Sequence, residues 1–452
     1  MKVAVIGAGW AGCAAAVEAT RRGHAVTLFE ASRTPGGRAR RVEAALGDQP
    51  LVLDNGQHIL IGAYSETLRL MTELGVDTAA ALRRLPLTLQ FPDGSGLELP
   101  ASRHVPAPLD AFAGIVSARG WSWADKLSLL RAATGWQFQG FQCASHQSVA
   151  DLCRGLTAGA MAQLIEPLCV SALNTPAERA SGQVFLRVLQ DALFTETGGS
   201  NLLLPRVDLS ALLPDAALAW LVARNQSVQH GLRVQSLRRT GGQWQLSAQA
   251  TAPAAGVFDV FDRVVLACPA TEAARLVDSD RSGDAAQAQG SVDAWLQQAR
   301  GLQYEALTTV YAYAPGARLS QPMLALPATA GAPAQFAFDR GQLGGPQGLL
   351  AFVISASQGD GAVLTAQVLA QAARQLGLEL QAVQTIVEKR ATFACTPGLQ
   401  RPGMQVAAGL LACGDYIAGP YPATLEGAVR SGLAVARALE MPAPGNQSLL
   451  KT

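Results

Sequence analysis

Three glycines close to the beginning of the chain limit its possible folds more than any other feature. The first 30 residues contain an apolar run, the glycines Gly7, Gly9 and Gly12, a small-residue segment, and a second apolar run that ends at Glu30. This order predicts a strand, a tight turn, a helix closed by Gly23, and a parallel strand. Such a β-α-β unit typically begins a doubly wound α/β sheet that holds the diphosphate of a dinucleotide.

Each position of this unit has a physical role. We expect Gly7 to permit the turn, Gly9 to let the backbone approach a diphosphate, and Gly12 to let helix and strand pack closely. Glu30 is suited to accept hydrogen bonds from both hydroxyls of an adenosine ribose, which disfavours a 2′-phosphate. The same opening letters look like a lipoprotein leader, because Cys13 follows small residues. The complete unit that continues beyond Cys13 argues against a leader.

Composition narrows the class of partner. With 452 residues the chain can bury the cores of about two or three domains. Its net charge of +1 predicts no nucleic-acid partner. Seven scattered cysteines lack metal-site or disulfide spacing, so we expect a reducing compartment and no metal. No apolar run approaches the ~20 residues that span a bilayer. These features predict a cytoplasmic protein, either soluble or attached to a membrane face.

The residues after Glu30 distinguish FAD from NAD, which the glycine pattern alone leaves open. The segment ASRTPGGRAR contributes Arg33, Gly36, Gly37 and Arg38. It resembles the fingerprint of the FAD-binding amine oxidase and phytoene desaturase superfamily. The resemblance implies that the glycine pair passes close to the flavin diphosphate and that Arg38 adds positive charge there. A solvated basic loop is the alternative.

A segment near the end of the chain resembles the same superfamily. LLACGDYIAGPYPATLEG predicts an apolar strand, a Gly-Asp pair at Gly414 and Asp415, a loop, and a helix. The resemblance implies that Asp415 holds the ribityl chain or a phosphate, and that the helix start directs N–H groups at the flavin. The helix would begin with Thr424, Leu425, Glu426, Gly427 and Ala428. For Glu426, an acid that merely stabilises its own helix start is the alternative.

A third segment, from about His230 to Ala270, predicts paired strands followed by a buried strand. The resemblance implies a main-chain contact with adenine at Val234. We therefore expect an α/β protein with a Rossmann-like FAD-binding domain, discontinuous in sequence, and a second mixed α+β substrate domain. The expected limits are 1–82, 205–270 and 396–440 for the FAD-binding domain, 83–204 and 271–395 for the substrate domain, and 441–452 for a tail.

The resemblance gives a full set of expected cofactor contacts. They are Gly7, Gly9, Trp10, Ala11, Gly12, Glu30, Ala31, Arg33, Gly36, Gly37, Arg38, Val234, Gly414, Asp415, Thr424, Leu425, Glu426 and Ala428.

Other stretches resemble a narrower group. LDNGQHILIGAYSETLRL and SNLLLPRVDLSALL are similar to squalene-associated flavoproteins, and PATLEGAVRSG is similar to carotenoid desaturases. Together these stretches resemble the hydroxysqualene dehydroxylase family. The resemblance implies that reduced FAD replaces the hydroxyl of hydroxysqualene, a hydrophobic C30 isoprenoid, with hydrogen. Candidates for the general acid are Asp54 and His58, in a loop expected at the flavin edge. A turn acid and a hydrogen-bonded structural histidine are the alternatives.

A substrate of this kind resides in a bilayer. The segment from Trp121 to Gln142 combines aromatic residues with Lys126 and Arg131. It predicts peripheral docking on the inner face of a membrane, or alternatively a helix that packs its aromatic side chains inward. Because only one dinucleotide site is evident, an external reductase or a quinol is the expected electron donor.

Three other functions stay open. They are a carotenoid or polyisoprenoid desaturase or isomerase, an amine oxidase, and a flavin-binding protein without catalytic activity. A cavity with an apolar lining would favour isoprenoid over amine chemistry.

Overall fold

The computed structural model describes residues 1–100, 105–250, 255–279 and 289–440, and the predicted tail at 441–452 lies outside the described residues. The strands in these ranges are β1 (Lys2–Ile6), β2 (Ala25–Glu30), β3 (Arg41–Leu46), β4 (Gln49–Asp54), β5 (Leu60–Ile61), β6 (Leu82–Leu85), β7 (Thr88–Gln90), β8 (Gly96–Glu98), β9 (Leu202–Pro205), β10 (Ser227–His230), β11 (Leu232–Thr240), β12 (Gln243–Ala250), β13 (Ala255–Phe261), β14 (Arg263–Leu266), β15 (Tyr304–Tyr313), β16 (Met323–Ala325), β17 (Phe336–Asp339), β18 (Leu349–Ser355), β19 (Gln381–Phe393), β20 (Gln405–Ala407) and β21 (Leu410–Ala412).

The α-helices in the same ranges are α1 (Trp10–Arg21), α2 (Ser65–Glu73), α3 (Thr78–Ala81), α4 (Leu109–Ser117), α5 (Trp123–Phe138), α6 (Val149–Leu152), α7 (Ala158–Ala160), α8 (Glu166–Leu173), α9 (Gly182–Leu189), α10 (Leu209–Leu212), α11 (Pro214–Val222), α12 (Ala270–Asp278), α13 (Gln289–Gly301), α14 (Gly361–Leu376) and α15 (Leu425–Ala438). Two π-helical turns, Met161–Ile165 and Gln190–Thr195, and one 3₁₀ turn, Arg340–Leu343, complete the helical structure described.

The central layer is a six-stranded sheet in the order β10-β2-β1-β14-β21-β20. Its first five strands are parallel, and β20 runs antiparallel to β21. The strands come from three separated stretches of the chain, namely β1 with β2, β10 with β14, and β20 with β21. The expected α/β fold, with a Rossmann-like sheet that is discontinuous in sequence, is confirmed. The exact domain limits stay predictions.

Helix α1 is buried along most of its length, because it consists mainly of alanine and other small residues. It packs against α15 on the same side of the sheet. This contact is very close, since a Cβ atom at Gly432 would lie 2.2 Å from the carbonyl oxygen of Ala11. Small side chains at the interface therefore bring the N-terminal ends of α1 and α15 toward one region at the edge of the sheet.

A second, antiparallel sheet has the order β16-β17-β18-β15-β19. Side chains alternate between the two faces of a strand. Strands β17 and β18 are buried at every position, so the sheet is covered by other elements on both faces. One face, with Val310 and Phe352, packs on α14, whereas the other, with Phe336 and Phe338, belongs to the main core of the protein. The sheet therefore presents an apolar surface toward the cofactor-binding part.

The remaining elements pack around the central sheet and the antiparallel sheet. Strands β11, β12 and β13 form an antiparallel sheet beside the central one, and helices α4 to α9 with the two π-helical turns lie between residues 109 and 195. Within the described ranges, no helix is long and apolar enough to cross a bilayer.

Candidate active site

The first glycine turn connects β1 to α1. Gly7 has φ +113°, and a Cβ atom there would lie 2.7 Å from the Ala267 carbonyl oxygen. A Cβ at Gly12 would lie 1.8 Å from the Gly7 carbonyl oxygen. Packing therefore requires glycine at both positions. Gly9 differs, because its Cβ would meet only Gly37 Cα, at 3.9 Å, and the residue lines a cavity. Glycine at this position leaves room for a ligand against the start of α1.

The second glycine pair lies directly beside the first turn. Gly36 donates its N–H to the Ala8 carbonyl at 2.9 Å, and Gly9 and Gly36 form an isolated parallel bridge. Gly36 and Gly37 have φ of +115° and +64°, values that glycine adopts readily. Two glycine-containing backbone segments thus form one cradle on the cavity wall, which suits a diphosphate.

Glu30 ends β2 at the same cradle. Its Oε2 accepts a hydrogen bond from Ala8 N at 2.7 Å, and its Oε1 accepts one from Ser32 N at 2.8 Å. Each carboxylate oxygen keeps a further lone pair, and the residue lines the cavity. Glu30 can therefore order the glycine turn and still accept hydrogen bonds from ribose hydroxyls.

Arg38 and Asp415 come from opposite ends of the chain and meet at the cavity. Arg38 Nη2 donates to Asp415 Oδ1 at 2.5 Å, and Arg38 Nη1 donates to the Ala391 carbonyl at 2.7 Å. Burial acts to lower the pKa of Arg38, but the charge and the hydrogen bond of Asp415 have a larger effect in the other direction. The pKa of Arg38 is therefore raised above its ordinary value. The two residues expected at the flavin diphosphate are thus one ion pair, a contact that the sequence did not indicate.

Helix α15 begins at the cavity wall. Thr424 Oγ1 accepts the N–H of Gly427 at 2.9 Å, so Thr424 is the N-cap. A Cβ at Gly427 would lie 1.9 Å from the Tyr421 carbonyl oxygen, which explains the glycine. Thr424, Leu425 and Ala428 line the cavity, and the positive end of the helix dipole faces it.

Glu426 requires a correction. Its side chain is fully buried and does not line the cavity. The carboxylate accepts hydrogen bonds from Thr67 N at 2.9 Å and from Thr67 Oγ1 at 2.6 Å, and it pairs with Arg430. Its carboxylate therefore caps the start of α2, and a main-chain contact of Glu426 with the cofactor stays a prediction. Gly12 and the exposed Arg33 also lie outside the cavity wall.

The remaining expected contacts lie on the wall, together with neighbours that the sequence analysis missed. Val234 is buried there, and its carbonyl accepts a hydrogen bond from Arg275 Nη2 at 2.9 Å. Cys268, Glu272 and Arg275 line the same region. They follow β14, and the carboxyl ends of parallel strands in such sheets form the ligand crevice. Their position after a predicted sheet strand was a signal that could have identified them.

A single elongated cavity of about 810 Å³ connects these groups. Part of its wall consists of the glycine loops, Glu30, Arg38 and Asp415. The rest is mostly apolar and is formed by side chains such as Leu168 and Val170 of α8, Phe185 and Val188 of α9, and Phe336 and Phe338 of β17. We call this second part the apolar chamber. The cofactor cradle therefore opens directly into a space suited to a hydrophobic molecule.

The residues present fit FAD. The buried Tyr416 hydroxyl lines the cavity without a hydrogen-bond partner in the part of the chain that the structure describes. The α1 start has no side-chain cap, so its backbone N–H groups stay available to a ligand. Both features are those of a site whose polar groups are completed by a bound molecule.

Asp54 also requires a correction. Its side chain is almost fully buried but does not line the cavity. Oδ1 accepts the N–H of Leu209 at 2.8 Å, and the Tyr311 hydroxyl donates to the Asp54 carbonyl at 2.9 Å. Burial raises the pKa of Asp54 to about 6, although Arg340 opposes the shift. Because the carboxyl faces away from the cavity, it is not placed to protonate a bound substrate.

His58 does line the cavity. Its Nδ1 lies 2.7 Å from the Gly56 carbonyl oxygen, which assigns the proton of the neutral ring to Nδ1. Burial lowers the pKa of His58, and the charge of Arg38 acts in the same direction. Because Nδ1 is bonded to Gly56, Nε2 is the ring nitrogen through which His58 can exchange a proton with a ligand.

A further acidic residue on the cavity wall had no sequence signal. Asp191 lies on the π-helical turn Gln190–Thr195 and accepts a hydrogen bond from Arg187 Nε at 2.7 Å. Tyr421 contacts both of these residues and lies just before α15. Only the folded arrangement of distant segments brings these groups together.

A dinucleotide cradle that opens into an apolar chamber defines the class of this protein, an FAD-dependent oxidoreductase. The chain belongs to the flavin-containing amine oxidoreductase family, whose family model matches residues 10–439.

Comparison with individual proteins supports this assignment. Hydroxysqualene dehydroxylase of Rhodopseudomonas palustris is 28% identical over 95% of this chain and 96% of its own length. A zeta-carotene desaturase of Zea mays is 36% identical, but over only 24% of this chain and 19% of its own length. The crystal structure of an oxidoreductase from Methanosarcina mazei has the same fold, with a TM-score of 0.73 and 16% identity, over 97% of this chain and 100% of that one.

Proposed function

We propose that the protein is a reductive dehydroxylase that converts hydroxysqualene to squalene. The observation that carries the proposal is the apolar chamber, which is continuous with the cofactor cradle and is lined mostly by aliphatic and aromatic side chains. Similarity to the Rhodopseudomonas enzyme over nearly the whole chain supports it. An amine substrate is less compatible with a chamber of leucine, valine and phenylalanine side chains, because a cation is costly to desolvate there.

The proposed reaction balances as follows. The carbon–oxygen bond breaks with its electron pair on oxygen, the oxygen takes up one proton, and water leaves. Reduced FAD, when bound, supplies the hydride that the carbon gains. A carbon centre next to a double bond or a cyclopropane ring stabilises the positive charge that develops.

The protein's own residues have three tasks in this reaction. The chamber side chains bind the isoprenoid and exclude water from the developing cation. The start of α15, which lines the cavity, would offer its backbone N–H groups and the positive end of its dipole to the flavin and stabilise negative charge there. His58 is the proposed proton donor, because it lies on the cavity wall whereas Asp54 does not.

A carotenoid or polyisoprenoid desaturase is the second candidate, favoured by the local match to the maize desaturase. An anaerobic single turnover of the FAD-reduced protein with hydroxysqualene separates the two. Squalene formation with reoxidation of the flavin supports dehydroxylation. A flavin that stays reduced, without product, contradicts it.

We also propose that the protein docks on the inner face of the membrane through the outer face of α5. This face consists of Trp123, Leu127, Arg131, Thr134 and Phe138, all exposed and spaced three or four residues apart. Trp123 and Phe138 expose 65% and 88% of their surface, whereas Trp121, Trp136 and Phe141 of the same segment are buried. Lys126 lies over the Trp123 ring at 5.1 Å. Exposed aromatic residues with adjacent cations suit an anionic bilayer surface.

A further inference from the structure

Gln57 carries an unused hydrogen-bond donor on the cavity wall. Its side chain is only 7% exposed and lines the cavity. Within the described ranges, its amide nitrogen Nε2 has no hydrogen-bond partner. Leaving a buried N–H group unpaired costs free energy, so such groups are rare in folded proteins unless a ligand completes them.

Arg340 fixes the orientation of this amide. Arg340 Nη1 donates to Gln57 Oε1 at 3.3 Å, and Arg340 is itself buried. A guanidinium can only donate, so the oxygen of the carboxamide must face Arg340 and the nitrogen must face the other way. Gln57 lines the cavity and Arg340 does not, so the Arg340 contact leaves Nε2 as the amide atom available to a ligand.

Arg340 in turn has a fixed environment. It begins the 3₁₀ turn that follows β17. The buried Asp54 lies near it, and the charge of Arg340 acts to lower the pKa of this carboxyl. Asp54, Arg340 and Gln57 are therefore three buried neighbours. Asp54 interacts electrostatically with Arg340, Arg340 donates to Gln57, and Gln57 carries the unpaired neutral donor. Asp54 thus acts on the site through Arg340, although it does not line the cavity.

Apolar side chains and the adjacent His58 surround Gln57 on the cavity wall. Gly56 lies against Leu307, since a Cβ at Gly56 would be 3.5 Å from Leu307 Cδ2. Ile59 and Phe338, each two residues from one of these three neighbours, line the cavity. A neutral donor in such a wall suits a neutral oxygen acceptor better than a charged group, which would have to be desolvated.

We propose that Gln57 Nε2, held by Arg340, is the subsite that binds the hydroxyl oxygen of the isoprenoid substrate. The inference rests on the proposed function and adds the residue that distinguishes the hydroxylated substrate from its hydrocarbon product. As the carbon–oxygen bond breaks, the same N–H group stabilises the negative charge that develops on oxygen. Gln57 is thus a specificity-determining residue, and Arg340 is a positioning residue.

The test compares the binding of hydroxysqualene and squalene to the oxidised holoprotein under anaerobic conditions, followed by changes in the flavin absorbance spectrum. The variant Gln57→Leu should bind hydroxysqualene about tenfold more weakly and squalene unchanged. Gln57→Glu keeps an acceptor for Arg340 but loses the donor, so it should show the same selective loss and serves if Gln57→Leu does not fold. Gln381→Leu, the same change at an exposed position of β19 outside the cavity wall, is the matched control and should leave both affinities unchanged.

Arg340→Met tests the positioning role, because a freely rotating amide should also lose selectivity between the two ligands. Equal weakening of both ligands, or no change in either, would overturn the proposal. A shifted spectrum or reduction potential of the ligand-free Gln57→Leu protein, without loss of selectivity, would instead assign the donor to the flavin and overturn it as well. If the wild-type protein converts hydroxysqualene and Gln57→Leu still binds hydroxysqualene in preference to squalene, only this inference is contradicted. Wild-type protein that binds neither ligand contradicts both proposals.

Discussion

At the residue scale, His58 is the group whose protonation should control the proposed reaction. Because burial lowers the pKa of His58, its protonated form becomes abundant only below the ordinary pKa of 6.5. We therefore expect the single-turnover rate at saturating hydroxysqualene to rise as the pH falls from about 8 to about 6. His58→Phe should be slower and nearly independent of pH over this range. A wild-type rate that is constant, or that falls with falling pH, would exclude His58 as the proton donor.

Glu426 makes a second prediction at this scale. Its buried carboxylate accepts hydrogen bonds from the start of α2 and pairs with Arg430. Glu426→Gln should lower the free energy of unfolding by about 1–3 kcal/mol. A neutral amide has only one acceptor oxygen, so donors at the start of α2 and on Arg430 lose their hydrogen bond to the second carboxylate oxygen. The exposed Glu73, paired with Arg21, provides the control, for which Glu73→Gln should cost about 0–1 kcal/mol. Chemical denaturation measures both. Loss of FAD from a fully folded Glu426→Gln protein would contradict the assignment.

Individual residues also show why the site could be predicted only in part. The glycine positions follow from local backbone geometry, so Gly7 and Gly36 could be recognised from spacing alone. The direction of a side chain depends on contacts distant in sequence. Asp54 faces Leu209, and Glu426 faces Thr67, which are 155 and 359 positions away. No local pattern contains this information.

At the scale of elements, α5 is the helix whose surface makes a prediction. The double variant Trp123→Ser with Phe138→Ser should bind vesicles containing phosphatidylglycerol at least about tenfold more weakly than the wild type, because both side chains lose apolar contact with lipid. Val222→Ser is the control, since Val222 is 59% exposed on α11, a different helix. Co-sedimentation with vesicles measures the difference. Equal binding of the double variant and the wild type would contradict docking through this face.

The elements themselves differ in how far the sequence predicts them. Strands β1 and β2 and helix α1 follow from a local alternation of apolar runs and glycines, and they form as expected. Strand β14 pairs with β21, and the paired residues Val264 and Leu410 are 146 positions apart. Resemblance to a family placed both segments in the FAD-binding domain, but it did not predict their pairing. The two π-helical turns had no recognisable pattern, although one of them carries cavity residues such as Asp191.

At the scale of the whole molecule, the cavity depends on both sheets. The central sheet and its helices provide the cradle, and the antiparallel sheet with α8 and α9 provides the chamber. Neither part encloses the reacting atoms alone. Because the cradle and the chamber come from different sheets, the chamber can change while the cradle stays the same. A common cofactor-binding fold can therefore be combined with a chamber suited to a hydrophobic substrate.

The central claim is that the carbon that loses the hydroxyl receives a hydride from the reduced flavin. The most direct measurement uses protein reconstituted with the reduced 5-deaza analogue of FAD, in which both hydrogens of the hydride-donating carbon are replaced by non-exchangeable deuterium. After a single anaerobic turnover with hydroxysqualene in ordinary water, mass spectrometry of the extracted product reports the label. We expect squalene with one deuterium. Unlabelled squalene would contradict it, because the hydrogen would then come from water or from a protein group.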